Sequence, residues 1–91
     1  MLSFLPNTPS DIMQELKIKF KSRRKAVKLT QKELAIKADV SLGTLKRFEQ
    51  TGQISLEALL KLALVLECLD DFKEICKEHD KEVFGSIEEI V

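Results

Sequence analysis

Apolar residues recur along this chain at helical spacing, interrupted by short polar stretches that carry capping signals. The clearest block is Thr30–Glu49, TQKELAIKADVSLGTLKRFE. Thr30-Gln31-Lys32-Glu33 fits a capping box, in which the threonine oxygen accepts an orphan amide and the glutamate reaches back to the cap. Leu34, Ala35 and Ala38 follow as a small apolar face at helical spacing. Asp39-Val40-Ser41 interrupts the helix, and Ser41 is a second N-cap candidate. Leu45 and Phe48 continue the buried face through the next helix, while Leu42, Gly43, Lys46, Arg47 and Gln50 occupy its other side. The pattern predicts two short helices joined by a tight turn. The alanine pair on the first lets the second cross it closely.

The flanks extend the helical pattern. Met1–Pro9 is expected to be irregular, because Pro6 and Pro9 interrupt backbone hydrogen bonding. Ser10 is the expected cap of a long first helix ending near Lys28, with Asp11 favourable in its first turn. Ile12, Leu16, Phe20 and Val27 form one stripe on that helix, with Arg24 set among them. After Glu49, Gln50-Thr51-Gly52-Gln53 reads as a loop in which Gly52 can take positive φ. Ser55 then caps a fourth helix, Leu56–Glu67, whose leucines exceed a single stripe and predict a core face plus an interface. Asp70 is the expected cap of a fifth helix reaching about Glu78, with Phe72, Ile75 and Cys76 on it. The pattern thus divides the chain into an irregular segment 1–9, a helical domain 10–78 and a tail 79–91. The tail turns apolar at Phe84, Ile87, Ile90 and Val91.

Ninety-one residues suffice for one small domain, of a size that buries about two-thirds of its unfolded surface. No stretch reaches the roughly 20 apolar residues of a membrane span, and MLSFLPNTP lacks the basic start and apolar run of a signal peptide. Cys68 and Cys76 stand eight apart with no second ligand pair, so they are expected as reduced, partly buried residues rather than a metal site or disulfide. A cytoplasmic location follows as the default.

The formal net charge is zero, but the charges are not evenly spread. From Lys17 to Arg47, eleven Lys and Arg face only Glu33 and Asp39; from Phe48 to Val91, four Lys face eleven Asp and Glu. The basic half coincides with the two short helices, which points to a phosphate-binding surface. Catalysis needs convergent groups in a pocket. His79 is the single histidine, and Asp70-Asp71 and Glu88-Glu89 are adjacent pairs that look solvating. No nucleophilic triad, metal-ligand set or phosphate-cradling glycine loop stands out, so neither enzyme activity nor a cofactor is expected.

The block Thr30–Glu49 resembles the helix-turn-helix of Cro/CI-type (XRE) transcriptional regulators. The likeness lies in its Thr-Gln-x-x-Leu-Ala opening, Val-Ser turn and Thr-Leu-x-x-x-Glu second helix. With its flanks it covers roughly Leu16 to Leu66. Asp39 and Lys28 stand where the family usually has glycine. The resemblance implies an all-α, five-helix bundle of the lambda-repressor-like kind, and a repressor that binds double-stranded DNA at a palindromic operator as a homodimer. It implies that Gln31 and Ser41 anchor phosphates, and that Leu42, Gly43, Thr44, Lys46 and Arg47 face bases or backbone. Leu42 would meet a thymine methyl and Arg47 would read guanine. It also implies a structural ion pair between Arg24 and Glu49. The later segment, LEALLKLALVLECLDDFKEI, is similar to HipB-type antitoxins of toxin–antitoxin operons. That implies a bacterial, cytoplasmic, nucleoid-associated protein that represses its own operon and binds a toxin, with Phe84, Ile87 and Ile90 as partner-binding residues. The alternatives are a stand-alone phage-type repressor and a protein-interaction module without DNA.

Overall fold

The structure, a computed structural model, describes residues 8–77. It comprises α1 (Pro9–Ala26), α2 (Gln31–Ala38), α3 (Leu42–Thr51) and α4 (Leu56–Val65), followed by a 3-10 helix at Leu69–Glu74. The described residues contain no strand, and the fold is the expected all-α arrangement of five helical elements.

Hydroxyl side chains start all four α-helices. Thr30 accepts from the amide of Glu33 while the Glu33 carboxylate accepts from the amide of Thr30, completing a capping box. Ser41 and Ser55 accept from the amides of Thr44 and Ala58. Each such cap is worth about 1 kcal/mol. At α1 the expectation fails by two residues: Thr8, not Ser10, is the cap, accepting from the amide of Asp11 at 3.0 Å. Pro9 is therefore the first helical residue, where its fixed φ suits the helix and its missing N–H costs nothing.

The helix ends also differ from expectation. α1 stops at Ala26, and Val27, half exposed, leaves the stripe. α3 runs on through Thr51, so Gln50 and Thr51 are helical and Gly52 is the left-handed cap at φ +83°. A Cβ at Gly52 would lie 3.1 Å from the Met13 carbonyl oxygen, so both conformation and space demand glycine there. α4 ends at Val65, before Glu67. The final element is a short 3-10 helix rather than an α-helix to Glu78, and Asp70 does not cap it. Residue 78, like the tail with Phe84, Ile87 and Ile90, lies outside the described residues, as do residues 1–7.

The core gathers Phe20 from α1, Leu34, Ala35 and Ala38 from α2, Leu45 and Phe48 from α3, and Leu59, Leu62 and Ala63 from α4, closed by Leu66. Phe20 meets Phe48 edge-on with ring centroids 5.7 Å apart, and Phe72 of the 3-10 helix at 6.4 Å. α3 packs on α1 and α2, and α4 packs on α2. The outer side of α4 is open in the single chain: Leu56 and Leu64 are 67% and 63% exposed.

α1 is tied to both ends of this assembly. Gln14 Nε2 donates to the Thr51 carbonyl at the end of α3. Arg23 Nε donates to the Leu66 carbonyl at 2.6 Å, and its Nη2 reaches the Glu67 carbonyl, so a side chain satisfies the exposed end of α4. Lys28 and Asp39, at φ 64° and 58°, close α1 and α2 in the left-handed region without glycine.

Lys28→Gly should therefore stabilise the protein. The left-handed penalty of about 1–2 kcal/mol for an L-residue is partly offset by the greater freedom of unfolded glycine. A net gain of roughly 0.5–1 kcal/mol would raise the thermal midpoint by a few degrees. A lowered midpoint in thermal denaturation would contradict this account of the turn.

Candidate nucleic-acid interface

The interface begins with how α3 is held. Arg24, on α1, is buried at 8% exposure, and Glu49, on α3, at 7%. Arg24 Nε lies 2.7 Å from Glu49 Oε2 and Nη2 lies 3.0 Å from Oε1, a two-pronged ion pair. Its remaining Nη1 donates to the Leu29 carbonyl at 2.8 Å, which fixes the start of the α1–α2 connection. Gln31 Nε2 donates to Glu49 Oε1 at 2.9 Å, adding α2 to the same carboxylate. Burial pushes the Glu49 carboxyl up. The hydrogen bonds from Arg24 and Gln31 and the charges of Arg24 and Lys21 outweigh it and hold the group below its ordinary range.

So anchored, α3 presents one face outward. Gly43, Lys46, Arg47 and Gln50 are exposed on it. Among the described residues, nothing beyond its chain neighbours and its own helix backbone lies within 4 Å of a Cβ built on Gly43, and its φ is not positive. Neither packing nor backbone conformation therefore requires glycine there. Leu42 is half-buried and packs against the core, so only part of its side chain is free to meet a thymine methyl. Thr44 is likewise half-buried, and its hydroxyl accepts from Ser41 at 2.7 Å. The Ser41 oxygen is also engaged in capping. Arg47 Nη2 donates to Gln53 Oε1, and Thr51 Oγ1, which donates to the Arg47 carbonyl, accepts from the Gln53 amide.

The surrounding charge is positive. Lys17 reaches towards the Gln50 carbonyl at 3.5 Å, setting an α1 lysine beside the end of α3. Lys28, Lys32 and Lys37 are exposed along the α1–α2 side. Of the two acids in this half, Glu33 is used in its capping box and Asp39 lies 3.8 Å from Lys61. The residues expected to face DNA are thus split. Gly43, Lys46 and Arg47 share an open face, whereas Gln31 is turned onto Glu49, Leu42 packs against the core, and Ser41 and Thr44 are hydrogen-bonded to each other. Lys17 begins the basic half expected to bind phosphate, whereas Gln53 is a neighbour of this face that the sequence does not indicate. Lys17 had a signal, the basic run of α1. Gln53 had none, because its contact with Arg47 depends on how Gly52 turns the chain.

Among the described residues, no three His, Cys, Asp or Glu gather as a metal site, and no helix is long and apolar enough to cross a membrane.

Removing Arg24 would strand Glu49 in a poorly solvated place. Arg24→Ala should cost about 3–5 kcal/mol, lowering the midpoint by more than about 10 °C. The depressed Glu49 pKa adds a pH signature with a definite sign. Its stabilisation is present above the unfolded carboxyl value and is lost as pH falls through the lower folded value. The wild type should therefore lose stability on acidification below about pH 4.3, and Glu49→Gln should show a shallower acid limb. Equal melting of Arg24→Ala and wild type would remove the pair from the account.

A family model described as Helix-turn-helix matches residues 20–71, more than half of the chain. Neither curated proteins nor solved structures gave a match. The matched span runs from Phe20 through the 3-10 helix as far as Asp71, so it contains the buried ion pair, the left-handed turn at Asp39 and the outward face of α3. The chain belongs to the Cro/CI-type (XRE) helix-turn-helix family of DNA-binding regulators.

Proposed function

We propose that this regulator is a sequence-specific repressor that binds a palindromic operator as a homodimer and reads the major groove with α3. The observation that carries the proposal is the open Gly43 beside Lys46 and Arg47. Gly43 lies in the first turn of α3, where alanine would also fit the helix and carry less unfolded-state entropy. With no demand from the described residues, close approach of an outside surface accounts for the glycine. Arg47 has the fork geometry for guanine, and Lys46 suits a phosphate or a base edge. Gln31 and Ser41 stand at the N-termini of α2 and α3, where the dipoles favour phosphate oxygens.

Dimerisation is supported by the outer ridge of α4. Leu56, Leu60 and Leu64 follow one another at single-turn spacing, and Glu57 and Lys61 flank them. An antiparallel two-fold would bring Leu60 against its copy and set Glu57 beside the partner's Lys61. Such a ridge is smaller than the roughly 800 Å² per partner of a stable interface, so it suits a dimer that DNA completes.

A second reading rests on the likeness of residues 56–75 to HipB-type antitoxins. In that case the repressor would regulate its own operon and also bind a toxin encoded beside it. A kinase-like gene next door whose product co-purifies with this chain would favour it; a lone gene would favour the stand-alone repressor.

Gly43→Ala should leave thermal stability unchanged or slightly raised, yet weaken operator binding several-fold. Arg47→Ala should cost about 1–3 kcal/mol on the cognate site and relax preference at one base position. Affinity should also fall steeply as salt rises, in proportion to the phosphates neutralised. Binding by Gly43→Ala equal to wild type, or affinity insensitive to salt, would reject this face as the reader.

For the dimer, footprinting should show two half-sites about 34 Å apart, with two copies bound. Leu60→Asp should abolish that cooperativity while the monomer stays folded. One copy on a single half-site in the wild type would contradict the two-fold arrangement.

A further inference from the structure

We propose that residues 78–91 fold back in the same chain and dock in the apolar groove between α1 and the 3-10 helix. The groove encloses about 780 Å³ and is lined by Ile12, Leu16, Ile18, Phe20, Phe72 and Ile75. Its floor is continuous with the core through Phe20, but Ile18 and Ile75 are 63% and 62% exposed. An apolar hollow of this size on so small a domain calls for an occupant.

Three observations select the occupant. The described chain ends at Lys77, two residues past the groove-lining Ile75, so the next segment starts at the rim. Phe84, Ile87 and Ile90 recur every third residue, nine or more positions beyond Ile75. Nine residues span about 30 Å extended, whereas the groove from Ile12 to Phe20 measures about 12 Å along a helix, so reach is ample. Charge agrees as well. The segment carries Glu78, Asp80, Glu82, Glu88 and Glu89 against Lys81, and the groove lining is net positive, with Lys19 and Arg23 against Asp71. Lys19 also meets Glu15, and Arg23 the Leu66 and Glu67 carbonyls. Residues 1–7, also apolar, carry no charged side chain to answer that rim. Attachment to the same chain gives a high effective concentration, which favours docking in cis over a second copy.

The groove supplies its own reporter. Cys68 lines it and is half-buried, while Cys76 is exposed. In full-length protein carrying Cys76→Ser, alkylation of Cys68 by N-ethylmaleimide should be slow. Adding Phe84→Asp and Ile87→Asp should speed it at least several-fold, with the helical signal unchanged. A second measurement avoids any loss of anchors: Cys76→Ser with Gly85→Cys, held in a glutathione disulfide buffer. It should give a monomer cross-linked between Cys68 and the introduced thiol, at a yield independent of protein concentration. Equal alkylation rates with no internal cross-link would overturn the proposal. So would shielding that fades on dilution, which assigns the groove to a second copy, or shielding lost only on Leu2→Asp with Phe4→Asp, which assigns it to the N-terminal segment.

Discussion

The fold depends first on a charge that cannot be left alone. Arg24 and Glu49 are both buried, and each would be costly there without the other. Their pairing fixes the distance and angle between α1 and α3, and the spare donors recruit the Leu29 carbonyl and Gln31. Apolar packing alone tolerates small slides of one helix on another. A two-pronged ion pair is more exacting, because two directional N–H···O bonds must keep their length and angle at once. The core supplies most of the stabilisation, and the pair supplies the geometry.

That division explains what could be read from the sequence. Caps are local chemistry, so Thr30, Ser41 and Ser55 were legible as starts. Thr8 is harder to read, because Pro9 looks like a barrier in sequence and is an asset only once it stands at the first helical position. Helix ends were harder. They were set by contacts distant in sequence, such as Gln14 on the Thr51 carbonyl and Arg23 on those of Leu66 and Glu67. The last element is a 3-10 helix and not an α-helix, and apolar spacing at Phe72, Ile75 and Cys76 does not tell an α-helix from a tighter turn. Cys76 itself sits at positive φ.

The site was legible in composition and less so in orientation. The opposed charges of the two halves and the polar face of α3 are visible without coordinates. Whether a side chain is free or already engaged is not. Gln31 reads as a polar residue at a helix start, but in the structure its amide serves Glu49. Leu42 reads as part of the outer face but leans on the core. Gly43 carried the opposite ambiguity, since a glycine can answer backbone strain, crowding or an outside surface. The first two are excluded by its φ and by the open space around it.

The adjacent arginines of α1 have a mechanical meaning. Arg23 grips the end of α4 and Arg24 grips α3, from neighbouring positions on one turn. A rotation of α1 would pull both rivets at once, so the reading helix and the leucine ridge of α4 cannot drift independently. Two copies joined along that ridge would carry their reading helices on a fixed-length ruler rather than on a hinge. The tolerance for altered half-site spacing would then be set by the stiffness of a single helix.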